Sequence, residues 1–140
     1  MRSKTPLAMM ELLVMLLVFA LAAAVCVQVF VFADGDSRRD AARDRALAEV
    51  QNAAECLKSL RGDYEAAAQA LGGTWDGVCW TIAWDDGWTQ TSGGEAYRLE
   101  VLPEASGTAL LGRAELTVYT ADDEELCTLR TAWQEVDGHA

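Results

Sequence analysis

The sequence of 140 residues carries 11 basic and 22 acidic side chains, a net charge of -11. A surface this acidic repels phosphate backbones, so direct nucleic-acid binding is not expected. With the apolar N-terminal segment set aside, about a hundred residues remain, enough for one small domain and not two.

Ser3-Lys4-Thr5-Pro6 reads as a helix start, with Thr5 as the cap and Pro6 at the first helical position, where a missing N–H costs nothing. From Leu12 to Ala33 the chain is apolar apart from Gln28, and a helix of that length spans about 33 Å, enough to cross a bilayer's hydrocarbon core. A helix apolar on every face needs apolar surroundings. Two other readings compete: a signal peptide cleaved after Ala22-Ala23-Ala24, and a lipoprotein lipidated at Cys26. Bulky residues continue past both points, through Val29, Phe30 and Val31, which favours a retained anchor in contact with membrane lipid. Arg2 and Lys4 precede the span, so the positive flank puts the N-terminus in the cytoplasm of a single-pass cell-membrane protein, with residues from about Asp34 onward extracellular. Gln28 either snorkels to the interface or bonds a neighbouring helix.

Glu11 is the one acid at the entrance to this span. It either snorkels to the headgroups or pairs with Lys4, or else meets a positive charge on a neighbouring subunit. The stretch PLAMMELLVMLLVFALAAA, from Pro6 to Ala24, resembles the N-terminus of type IV pilins and pseudopilins. In that family a basic leader precedes an apolar first mature residue, and a glutamate follows before a long apolar helix. Aligning the glutamate on Glu11 puts Leu7 at the mature start and Pro6 at the last leader position, where the family carries glycine or alanine. The resemblance implies a filament subunit whose Glu11 neutralises a neighbour's N-terminal amine. Its implied partners are other pilin-like subunits or membrane assembly proteins.

Beyond Asp34-Gly35-Asp36-Ser37, small and apolar residues recur at Ala42, Ala46, Val50, Ala53, Leu57 and Leu60, a helical stripe among charges. One nearly continuous stem is expected, bent if anywhere at Gly35, with Asp36 or Ser37 able to cap its second part. The stripe reads as the face that covers a core, with a helix–helix contact as the alternative. Arg61-Gly62-Asp63 matches an adhesive triplet, but glycine and aspartate here suit a helix stop and the cap of a short helix ending at Gly72-Gly73.

After Gly73 the period becomes two. Val78, Trp80, Ile82 and Trp84 form one apolar face, and Trp88 to Thr91 is either a strand or a loop. A strand through Tyr97, Leu99 and Val101 is ended by Pro103; another follows through Ala114, Leu116 and Val118, and a last one from about Glu125 to Trp133. The expected fold is α+β: a transmembrane helix over 1–33, a helical stem and short helix over 34–73, and an antiparallel head of about three to five strands over 74–140 that packs on the stem. Trp75, Trp80, Trp84, Trp88 and Trp133 suggest an aromatic ligand platform, although Trp80 and Trp84 share a strand face and read better as core.

Of the four cysteines, Cys26 lies in the span and reads as a small apolar residue. Cys79 and Cys127 both fall on expected strands and are candidates for a disulfide. No CxxC pair exists, the single histidine is His139, and Asp122 to Glu125 lacks the alternation of a calcium loop, so no metal or cofactor is implied. Nothing resembles a catalytic constellation, and an enzyme is not expected. The leading reading is a pilin-like or pseudopilin-like subunit of a pilus, secretion or DNA-uptake filament. The alternative is an unprocessed single-pass protein whose acidic head binds a protein or cell-wall partner.

Overall fold

The computed structural model describes residues 4–135; Arg2 and His139 lie outside them. Helix α1 runs from Thr5 to Ser59 and α2 from Tyr64 to Leu71. Five strands follow: β1 (Thr74–Trp75), β2 (Trp80–Trp84), β3 (Tyr97–Glu104), β4 (Leu111–Thr120) and β5 (Glu125–Gln134). They form one antiparallel sheet in the order β1-β2-β3-β4-β5, a meander. The chain divides into two compact units, Met1–Ala41 and Ala42–Ala140.

The first turn of α1 differs from the expectation by one residue. The Ala8 N–H donates to the Lys4 carbonyl at 3.2 Å, so Lys4 is the cap and Pro6 sits inside the first turn. The proline is still tolerated, because N–H groups of the first turn have no acceptor within the helix. At the other doubtful point α1 continues: no separate helix starts at Asp36 or Ser37, and Gly35 lies within the helical run. A helical glycine costs about 1 kcal/mol relative to alanine. Interrupting the helix would forfeit several backbone bonds at about 1 kcal/mol net each. Arg38 reaches back to Asp34 at 3.1 Å across the glycine and adds a weak i,i+4 pair.

In the second unit, α1 buries Ala46, Val50, Ala53, Ala54 and Leu57, one face at helical spacing. Ala42 and Leu60, at the ends of the expected stripe, are half-buried. Small residues dominate the helix side, and the sheet supplies the bulk: Trp80, Leu99, Val101, Leu116 and Val118 are fully buried. Each such large apolar side chain contributes about 1.5–3 kcal/mol. The register lines these rows up, with Trp80 beside Val101, Val101 beside Leu116, and Leu116 beside Leu129.

Two expectations at strand ends are corrected. Val78 is 69% exposed and belongs to a turn, because Asp76 Oδ1 accepts from the N–H groups of Val78 and Cys79 and ends the alternation there. Pro103 does not end β3, which continues to Glu104 with Pro103 opposite Ala114. β2 stops opposite Val101, so β3 beyond that point is paired on one side only, where a missing N–H can be accommodated.

Two glycines are fixed by Trp133. Gly62 has φ +80°, and a Cβ there would come within 2.5 Å of the indole; Gly112 lies opposite Trp133 in the β4–β5 ladder, and its Cβ would also meet the ring. Gly62→Ala should therefore destabilise the second unit by about 2 kcal/mol or more. Gly35→Ala, with open space around it, should leave that unfolding midpoint unchanged. Thermal unfolding followed by near-UV tryptophan dichroism of the full chain in detergent checks both. An unshifted midpoint for Gly62→Ala would contradict the packing of Trp133.

Candidate functional site

The 55 residues of α1 begin with a segment that has no protein cover. Its large apolar side chains range from 55% exposed at Val14 to 79% at Phe32. α1 is the one helix among the described residues that is long and apolar enough to cross a membrane. Pro6 and Leu7 lie exposed in its first turns. Glu11, one turn further on, is also exposed, and among the described residues it makes no ion pair or hydrogen bond, so the pairing with Lys4 is not formed.

The second unit contains two aromatic groups. Tyr64 stacks on Trp75 with ring centroids 4.5 Å apart and meets the edge of Trp133 at 6.4 Å. Trp88 stacks on Tyr97 at 4.2 Å and tilts against Trp84 at 5.6 Å. Trp80, Trp84 and Trp133 are buried, and Trp75 and Trp88 each give a ring face to a tyrosine. The five indoles therefore serve packing rather than forming a shared open platform.

Polar chemistry lies on the opposite face of the sheet. Arg98 donates to Glu95, Glu100 and Asp123 at 2.8–3.0 Å and lies over the Tyr119 ring. The bond to Asp123, foremost among these, holds its guanidinium above the usual arginine range. This cluster joins the β2–β3 loop to the β4–β5 turn. Sequence reading missed it, because Asp123 is 25 residues from Arg98 and no local pattern links them. A cleft of about 450 Å³ beside β1 and β2 is lined by Thr74, Thr81, Gln90, Thr91, Ser92 and Glu95. Its wall is held by Gln90, whose Nε2 donates to the Leu71 carbonyl at 2.6 Å.

The Arg61-Gly62-Asp63 triplet is a stop and a cap: Asp63 accepts from the Ala66 N–H at 3.0 Å and starts α2. The proposed Cys79–Cys127 bridge is overturned. All four thiols are free. Cys79 adjoins β2 while Cys127 lies on β5, three strand spacings away, roughly 14 Å, whereas a disulfide needs Cα atoms within about 7 Å. Burial pushes the Cys56 and Cys127 thiols up. No group of three or more potential metal ligands occurs among the described residues.

No family model matches this sequence, and neither the curated proteins nor the solved structures contain a match.

Tyr64 supplies the clearest test of this geometry. Its hydroxyl is buried without a hydrogen-bond partner, and burial, reinforced by Glu135, pushes its pKa up to about 12. Between the unfolded value of 10 and the folded value of about 12, the native state holds the proton more tightly, so stability should fall as pH rises through that window. Tyr64→Phe keeps the ring stacking and removes the orphaned hydroxyl. It should match or exceed the parent chain's stability at neutral pH and lose part of the alkaline decline. Urea unfolding at pH 7 and pH 11 measures both effects, and a strongly destabilised phenylalanine variant would show that the hydroxyl has a partner. Separately, alkylation under non-reducing conditions should label both Cys79 and Cys127; a linked peptide pair would refute the strand separation.

Proposed function

We propose that this chain is a membrane-anchored, pilin-like structural subunit, held by the first part of α1, that assembles with other such subunits. The observation that carries the reading is the exposed apolar segment of α1 with its single unpartnered carboxylate, Glu11, about two turns from the helix start. Lipid satisfies the apolar surface of an isolated subunit, and neighbouring helices satisfy it in an assembly. A carboxylate at that depth is costly unless hydrated or paired, and a neighbour's N-terminal amine would pair it. The N-terminus lies in the cytoplasm and the second unit outside the cell. The chain performs no catalysis in this reading; its acidic second unit is an exposed surface on the assembly and not a nucleic-acid contact.

One feature supports a second reading. Proline at position 6, where the pilin pattern has glycine or alanine, suits a chain that keeps its N-terminus and acts as a permanent single-pass anchor. N-terminal sequencing of the protein from its native membrane separates the two: a start at Leu7 supports the filament subunit, and an intact leader supports the permanent anchor. In the first case Glu11→Ala should abolish assembly while leaving the unfolding midpoint of the second unit unchanged. Normal assembly of that variant would remove the charge-pairing argument.

A further inference from the structure

Gln28 is the only strongly polar side chain between Leu12 and Ala33, and among the described residues its amide has no hydrogen-bond partner. At about 1.5 Å per residue, Gln28 lies about 8 Å beyond the midpoint of the apolar run, inside a hydrocarbon half-thickness of about 15 Å. Side chains on a helix tilt toward its N-terminus, so the amide of Gln28 leans back over position 24, toward the bilayer centre and away from the nearer interface. Snorkelling is therefore disfavoured. Position 24 is alanine, and so is position 20, one turn further back, which leaves the amide uncovered and lets another helix approach closely.

We infer that the Ala20–Ala24–Gln28 face of α1 is a contact with the same face of a second copy of this chain. A primary amide both donates and accepts, so two identical helices brought together at this face can exchange hydrogen bonds between their Gln28 side chains, satisfying both. A charged partner has nothing to pair with here, because the face carries no ionised group. The contact is separate from the one assigned to Glu11. At 100° per residue Glu11 projects about 140° away from the centre of this face, and Cys26 projects from almost the opposite side. The inference rests on the membrane-anchored reading but not on N-terminal processing.

The test is oxidative cross-linking of the full chain in its native membrane, with the joined peptides identified by mass spectrometry. Cys26 of the unsubstituted chain reports the opposite face. Ala24→Cys, built together with Cys26→Ala, reports the proposed one. Cross-linking at position 24 should be about tenfold or more faster than at position 26, and adding Gln28→Leu should reduce it by about 3- to 20-fold. Equal rates at the two positions, a link from position 24 to a different protein, or a rate indifferent to Gln28→Leu would each overturn the contact. The membrane fraction is assayed in parallel. Chain retained there with any of these negative results refutes the contact alone, whereas chain recovered in the soluble fraction refutes the anchored reading with it.

Discussion

The constraint on which the rest depends is that the first part of α1 has apolar side chains on every face and no protein to bury them against. A soluble helix resolves the hydrophobic effect by turning one stripe inward and leaving the other face wet. Here no wet face exists from Leu12 to Phe32 apart from Gln28, and the large side chains are all more than half exposed. A monomer in water normally leaves only a few hundred Å² of contiguous apolar surface exposed, so this segment is compatible with a membrane anchor. In the proposed anchored reading the cover comes from lipid, from other helices, or from both. The two polar groups at the ends of this segment, Glu11 and Gln28, then acquire meaning from their surroundings, because each is inexpensive in water and costly in hydrocarbon.

The same helix obeys a different rule further along. From Ala46 to Leu57 it becomes amphipathic, and the division of volume between the two layers sets the packing. Alanine at 46, 53 and 54 allows the sheet to approach, and the space is filled from the sheet side by Trp80, Leu99 and Leu116. At one end of the core this close approach reaches its limit. Trp133 takes the space that Cβ atoms at positions 62 and 112 would occupy, and Tyr64 closes the ring edge. The turn between the helices is thus fixed by an indole on the last strand. Arg61-Gly62-Asp63 is thereby committed to chain reversal and capping.

Legibility in the sequence followed the range of the interactions. The helix pattern from Ala46 to Leu57 and the alternation through Tyr97, Leu99 and Val101 are periodic signals between near neighbours, and both elements are where those signals put them. Val78 continued an alternation that a local side-chain bond interrupts: Asp76 captures the next N–H groups, and periodicity carries no information about that competition. Pro103 read as a strand end because the reach of β2 along β3 is not encoded near the proline. Cys79 and Cys127 were paired on strand membership alone, while their separation depends on strand order, a property of the whole meander. In the apolar segment, Glu11 is visible as the only acid in an apolar context. The direction in which Gln28 leans depends on helix geometry as well as composition.

For the assembly proposed above, charge distribution favours contact through the helix. Only Arg2, Lys4 and Glu11 are charged before Asp34, so nearly all of the net charge of -11 belongs to the remainder of the chain. Within α1, arginines are partly neutralised by acids one turn away, Arg38 by Asp34 and Arg45 by Glu49. On the sheet, Arg98 is surrounded by three carboxylates and Arg130 by two. These pairings engage four of the 11 basic residues, and the 22 acidic residues leave a surplus of acid. Two such surfaces repel each other, with a range of about 8 Å at physiological salt. The apolar segment from Leu12 to Ala33 carries no charge and so no such penalty. In the proposed assembly, contact is therefore favoured where charge is absent, and the acidic surfaces oppose one another.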